Sequence, residues 1–397
     1  MLTLKAIDLK PRRIRNLSGF ERIQMLQRIL FSAFLIGALT SAVSAQTTTP
    51  TPPVDDEKPS RVTTEEIRLN VIARNEADHF DPTLIADDLM VVEDRVPHRI
   101  ESIRQVPASV MLILDMGGEM RTAKNIRTTQ AAAAGLIRSL SDEDRVAVIQ
   151  YSDRAQVLSE WETKDEAIEA VAKKLAFGRR SAFVEALKTA AKMLDSREAQ
   201  NRHLVLITDG LESLAKKEDR EAAIKKLLEI NVSVHVLSYT QMEQKGNSSR
   251  SVILRGGDGK IPKRTDETHK ASLPGPIQDL MNLPRLGSIN TDREMLKKAR
   301  QQQQDLLDSE SLLNDLAFKT GGTIIYPETN ESLVEQGKKI AELIDSVYVA
   351  TYIPKRPLES SAPGETREIG VVSRRVGLKV EARRVFIVPA REDGKNQ

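Results

Sequence analysis

The chain has 397 residues, 40% hydrophobic and 29% charged, with a net charge of +2. That length allows about two to three domains with a core that needs no staples, while the near-neutral charge and 4% aromatic content exclude a basic, base-stacking nucleic-acid surface. Cysteine is absent, which excludes disulfides and a thiol nucleophile but is compatible with export, since a large core holds without cross-links.

The first element is an apolar run from Ile29 to Val43, preceded by Arg22 and Arg28 and closed by Val43-Ser44-Ala45. At about 15 residues it is short for a membrane-spanning helix, and the small residues before Gln46 suit a signal peptidase. Residues 1–45 therefore read as a signal peptide, and the protein as exported to the periplasm or the cell exterior. An uncleaved anchor is the alternative reading, and Met25 would give a leader of more ordinary length. Residues 46–60, rich in Thr and Pro, read as a flexible linker.

Residues 61–105 alternate apolar and polar side chains (Ile67, Leu69, Val71, Ala73, then Leu89, Val91, Ile100 and Ile103) and read as two or three strands. From residue 106 the pattern changes. Val110 to Leu114, Arg145 to Tyr151, Leu204 to Ile207 and Val232 to Leu237 are short apolar runs of the kind buried on both faces of a sheet. Amphipathic helices are expected near 122–140, 165–175, 182–194 and 221–230. This alternation predicts an α/β fold with a doubly wound, mostly parallel sheet. Residues 240–290 form a polar insertion too long for an ordinary loop. A helix over 291–318 carries Gln301–Gln304 on an exposed face, a strand follows at 321–326, and a helix at 331–344. Three further strands are expected within 346–390. Paired with 61–105 they would make one small β-domain, with the α/β part of 106–345 inserted into it.

Open parallel sheets bind ligands beyond the carboxyl ends of their strands. Three such ends here read Asp115-Met116-Gly117-Gly118-Glu119, Gly178-Arg179-Arg180-Ser181 and Thr208-Asp209-Gly210. Together they resemble the three loops of the von Willebrand factor type A (vWA) family, in its exported bacterial branch. In that family these loops form a metal-ion-dependent adhesion site, reading Asp-x-Ser-x-Ser, Thr and Asp, and an acidic residue of the partner completes the metal shell. The resemblance implies a Rossmann-like vWA fold, a protein partner at the top of the sheet, and no chemistry. It assigns partner binding to Asp115, Gly117, Glu119, Arg179, Arg180, Ser181 and Asp209, and metal contact to Asp115, Glu119, Ser181 and Asp209.

This chain departs from the pattern where Gly117 and Glu119 replace the two serines. Mg²⁺ prefers a near-octahedral oxygen set, so no resident cofactor is expected beyond a weakly held Mg²⁺ or other divalent cation. In the alternative, Asp115 and Asp209 hold loop amides, Glu119 is a helix-start acid, and Arg179 or Arg180 supplies the positive charge. The changes Gly117→Ser and Glu119→Ser together would then be expected to restore metal binding. His79, His98, His203, His235 and His269 show no ligand spacing, and no histidine is placed beside Ser181 by sequence. A structural component of an envelope assembly, binding through the β-domain, is the first rival reading. A metal-assisted hydrolase using Asp115, Glu119 and Asp209 is the remote one. No nucleic-acid partner is expected, and membrane contact only through an uncleaved leader.

Overall fold

Apolar strands fix the centre of the molecule. In the structure, a computed structural model that describes residues 65–118, 125–247 and 293–389, β4 (Ala108–Asp115) is buried along its whole length. The leader, the linker, Glu119 and residues 248–290 of the polar insertion lie outside the described residues. β4 pairs in parallel with β5 (Arg145–Tyr151) on one side and β7 (Asn201–Thr208) on the other. β8 (Ser233–Ser238) and the two-residue β9 (Ile324–Ile325) extend the parallel run, and β6 (Ala155–Glu162) closes the other edge antiparallel to β5. The sheet order is β6-β5-β4-β7-β8-β9, a mixed sheet.

Alternate side chains of β4 face opposite layers of helix. Val110, Leu112 and Leu114 pack with α1 (Ile126–Ser139), α2 (Lys164–Lys174) and, further along the chain, the helix Asn330–Asp345. Met111 and Ile113 pack with α3 (Phe183–Asp195), α4 (Lys217–Glu229) and the helix Arg293–Thr320. The remaining helix, α5 (Thr240–Asn247), opens the expected insertion, so these last two are α6 (Arg293–Thr320) and α7 (Asn330–Asp345). Local chemistry sets the helix starts. Asn125 accepts from the Arg127 amide at 2.9 Å before α1, and Thr163 with Glu166 forms a capping box before α2.

The structure differs from the sequence reading in four places. β6 was not expected, because its polar Gln156, Ser159, Glu160 and Glu162 hide an edge strand covered on one face only. The insertion does not begin as a loop at residue 240, since α5 buries Thr240 and Glu243 there. The strand expected over 321–326 shrinks to Ile324–Ile325. The last of the three strands expected within 346–390 is divided at Arg383.

A second sheet has seven antiparallel strands. It contains β1 (Ile67–Arg74), β2 (Leu89–Glu93), β3 (Val96–Arg104), β10 (Val347–Tyr352), β11 (Thr366–Ser373), β12 (Lys379–Ala382) and β13 (Val385–Ile387), in the order β12-β1-β10-β3-β2-β11-β13. Strands from before and after the α/β layers therefore pair directly: β1 with β10, β10 with β3, and β2 with β11. The chain passes from β3 to β4 and from α7 to β10 side by side, where Gln105 Nε2 donates to the Asp345 carbonyl at 3.1 Å.

This sheet buries an ion pair between Arg367 and Glu93, with Ser361 Oγ accepting from Arg367 at 2.5 Å. Glu93 Oε2 also lies 3.6 Å from His98 Nε2. That nitrogen, however, accepts from the Lys355 amide at 3.0 Å while Nδ1 meets the Val96 carbonyl at 2.8 Å. These partners define a neutral ring with the proton on Nδ1, so the charge of Glu93 is met by Arg367. Arg383 docks this sheet onto α4, donating to the Leu228 carbonyl at 2.8 Å and to Asn231 Oδ1 at 3.1 Å.

Candidate functional site at the carboxyl ends of the parallel strands

Asp115 is the last residue of β4 and is completely buried. A carboxylate in that position needs donors. Its Oδ1 accepts from the Gly117 amide at 3.0 Å and its Oδ2 from Thr208 Oγ1 at 3.2 Å. Thr208, at the end of β7, lies 2.5 Å from the hydroxyl of Tyr151, at the end of β5, and accepts from the Gly210 amide at 2.7 Å. Thr208 donates its own proton to Asp115, and the Tyr151 hydroxyl, which also hydrogen-bonds the Asp115 carboxylate, lies against both. Burial, together with the charges of Asp115 and Asp209, pushes the Tyr151 phenol well above its ordinary range and keeps it a donor. Three strand ends are thus joined by one hydroxyl relay that terminates on Asp115.

The second loop is sewn to its neighbours mainly through backbone. Asp153 Oδ1 accepts from the amides of Arg179 at 3.0 Å and Arg180 at 2.8 Å. The Ser213 amide donates to the Ser181 carbonyl at 2.9 Å, and the Ser181 amide reaches Ser213 Oγ at 3.3 Å. Ser181 is buried, while the side chains of Arg179 and Arg180 are exposed at the rim. The helix that follows, α3, has no side-chain cap of its own; Glu212 from the third loop accepts from the Val184 amide at 2.6 Å instead.

Asp209 begins the third loop and is buried, with Oδ1 accepting from the Leu211 amide at 3.0 Å. Helix α6 braces this loop, Ser309 Oγ donating to the Asp209 carbonyl at 2.5 Å. Gly210 adopts φ +69°, a left-handed conformation that glycine tolerates without strain, and α6 presses against it so closely that no Cβ fits.

The geometry brings Asp115, Gly117, Ser181 and Asp209 to one place and sets Arg179 and Arg180 at its edge; Glu119 falls outside the described residues. Tyr151, Glu212 and Ser213 were missed by sequence reasoning. Tyr151 is hidden as the end of an apolar run, whereas Glu212 and Ser213 sit just past Thr-Asp-Gly and invited inspection as loop-start polar residues.

Gly117 corrects one expectation. A Cβ at this position would overlap the carbonyl oxygen of Arg180 and come within 2.9 Å of Ser181 Oγ. The second loop has closed onto the place where a serine would stand, so Gly117→Ser cannot restore a ligand without moving backbone. The described residues therefore do not fit a complete Mg²⁺ shell. Two carboxylates and one hydroxyl are present, both oxygens of Asp115 are engaged by the protein, and there is no room for the missing hydroxyl. Among the described residues, no group of three His, Cys, Asp or Glu side chains is placed to share a metal ion.

Residues 110–212 match the family model of the von Willebrand factor type A domain. An uncharacterized protein of Synechocystis sp., sll0103, is 31% identical over 110 residues, which are 27% of this chain. The matched stretch spans only 26% of that relative's length. Among solved structures, a von Willebrand factor type A protein of Catenulispora acidiphila is similar at 12% identity, covering 84% of this chain and 76% of its own, with a TM-score of 0.37. An aerotolerance-related membrane protein of Bacteroides fragilis is similar at 17% identity, covering 60% and 98%, with a TM-score of 0.36. Proximal thread matrix protein 1 of the mussel byssus, with a zinc-occupied MIDAS motif, is similar at 12% identity, covering 62% and 47%, with a TM-score of 0.38. No helix of the described residues is long and apolar enough to cross a membrane.

Proposed function

We propose that the chain is an exported, non-enzymatic binding module of the cell envelope that docks a protein partner at the top of the six-stranded sheet, over a degenerate metal site. The observation that carries this reading is the closure at Gly117. Asp115, Ser181 and Asp209 sit buried under a rim bearing Arg179 and Arg180, with the Arg180 carbonyl where the family has a serine side chain. A partner then meets exposed guanidinium groups, which pair with carboxylates through two parallel hydrogen bonds. The reading without chemistry is supported by the histidines: among the described residues, His98, His203 and His235 are engaged with Lys355, Asn201 and each other and not with Ser181. Export rests on the apolar run and small-residue site ending at Ala45.

The test is capture of partners from envelope extract by the purified protein and by its Arg179→Glu/Arg180→Glu variant, each with and without chelator. The partner is expected to survive chelation and to be lost in the variant. Capture abolished by chelator and restored by Mg²⁺ would show a working metal site. Capture untouched by the charge reversal would move the binding surface to the seven-stranded sheet. Sequencing of the envelope-purified protein is expected to begin at Gln46; an intact leader would mean an anchor.

A further inference from the structure

The opposite end of the six-stranded sheet carries a feature that partner docking does not use. A concavity of about 310 Å³ opens between the starts of β4 and β5 and the turn from α3 to β7, lined by Arg104, Arg145, Arg197, Ser109, Glu143 and Glu198 among others. The three arginines are held in place by neutral groups. Arg104 Nη2 donates to Gln200 Oε1 at 2.7 Å. Arg145 Nη1 donates to the carbonyls of Glu143 at 3.2 Å and Asp144 at 2.9 Å. Arg197 Nε donates to the buried Ser109 Oγ at 3.3 Å, and its guanidinium lies 5.2 Å from the centroid of the Trp161 ring. Among the described residues, none of the three forms an ion pair, in contrast with Arg367 on Glu93 and Arg375 on Asp81 and Asp88.

A guanidinium has five N–H donors in a fixed fork, and the bonds above commit only a minority of them. The concavity thus presents three oriented cations with donors to spare. We propose that it is an anion site that takes a compact dianionic oxyanion of the phosphate type. One carboxylate offers two oxygens and satisfies one fork, whereas a tetrahedral dianion offers an oxygen to each of three. Fixing the forks by Gln200, two carbonyls and the Trp161 ring in advance lowers the ordering cost of binding. Glu143 and Glu198 also line the concavity and are exposed; their charges offset part of that of the arginines, which favours a small anion over an extended polyanion.

The experiment titrates the full-length protein with inorganic phosphate at about pH 7.5, where phosphate is mainly dianionic, against chloride of equal ionic strength. Calorimetry and the unfolding temperature are read together. Saturable binding is expected with Kd of about 1 mM or tighter, with a rise in Tm that chloride does not reproduce. Arg145→Gln combined with Arg197→Gln should weaken phosphate about tenfold or more. If that double variant does not fold, the exposed Arg104→Gln serves in its place and should weaken binding about threefold. Glycerol phosphate, run alongside, separates the sources: tighter binding than inorganic phosphate assigns the site to phosphate carried on a larger molecule, weaker binding to the free ion, and either supports the site. No saturation below about 10 mM, affinity unchanged in the folded variants, or equal affinity for succinate would overturn the proposal.

Discussion

The two ends of the six-stranded sheet bury different chemistry. At the carboxyl ends, the acids Asp115 and Asp209 are buried and take loop amides and the Thr208 hydroxyl as donors. At the amino ends, cations gather on carbonyls: Arg145 on Glu143 and Asp144, Lys164 on Leu140 at the end of α1, Arg383 on Leu228 at the end of α4. The cause is the direction of the chain. Each parallel strand leads upward into loops and helix starts, where unpaired N–H groups point at whatever lies there, and each helix returns its unpaired carbonyls to the bottom. Backbone polarity therefore favours acids at the top and cations at the bottom before any ligand is considered, against which stand Arg179 and Arg180 at the upper rim and Asp144, buried at the start of β5 on the Ala108 and Ser141 amides. The buried imidazoles of His203 and His235, stacked at 5.3 Å near the bottom, fit neither group and are held neutral.

That exception gives the largest expected effect. Burial pushes His235 down to about 4 and His203 down as well, with the neighbouring His235 ring adding to the latter. The unfolded chain takes up protons near pH 6.5 while the fold refuses them, so stability is full above about pH 6.5 and is lost as pH falls toward 4. The loss is on the order of 3 kcal/mol for His235 alone. Urea unfolding across this range should show it, with a shallower pH slope in His235→Gln; an identical slope would refute the assignment.

At the top, Gly117→Ser should cost about 2 kcal/mol, because the added Cβ forces the Arg180 carbonyl aside. Calorimetry on the same variant should show no gain in Mg²⁺ affinity, and a gain would mean that the second loop yields easily. Thr208→Val removes the hydroxyl that links Tyr151, Asp115 and Gly210 and should cost about 1–2 kcal/mol, read from the denaturant midpoint. A neutral result would show that the acid at this end does not depend on the relay.

The smallest effect is at the bottom, where Asp345 at the end of α7 faces Asp144. Burial and that neighbouring charge raise Asp345 to about 6. A carboxyl raised in the fold stabilises it below the ordinary range near 4 and loses that contribution as pH rises through about 6. Asp345→Asn should accordingly raise Tm by about 1 °C at pH 8 and leave it unchanged at pH 4. The reverse order would place the strain elsewhere.

The strands of the α/β part were readable because burial on both faces leaves uninterrupted apolar runs, as at Val110 to Leu114 and Leu204 to Ile207. β6 was not, since an edge strand with one open face carries Gln156 and Glu160 without penalty. The three loop motifs were visible as sequence, and Gly117 was recognised as a missing ligand. Its steric closure was invisible, because it depends on where the carbonyl of Arg180 lies. The buried pair Arg367–Glu93 was equally hidden: its members are 274 residues apart, and each alone reads as a surface charge. Tyr151 could be named as core but not as a donor, since its role follows from the end of a neighbouring strand.

The side-by-side crossings have a mechanical consequence. β3 leads into the α/β layers and β10 leads out of them, and the two are hydrogen-bonded to each other. Tension applied between β1 and β13 can cross from β3 to β10 through that ladder without passing along β4 or any strand parallel to it. The α/β layers between β3 and β10 are thus expected to stay unstretched until the β3–β10 rungs shear.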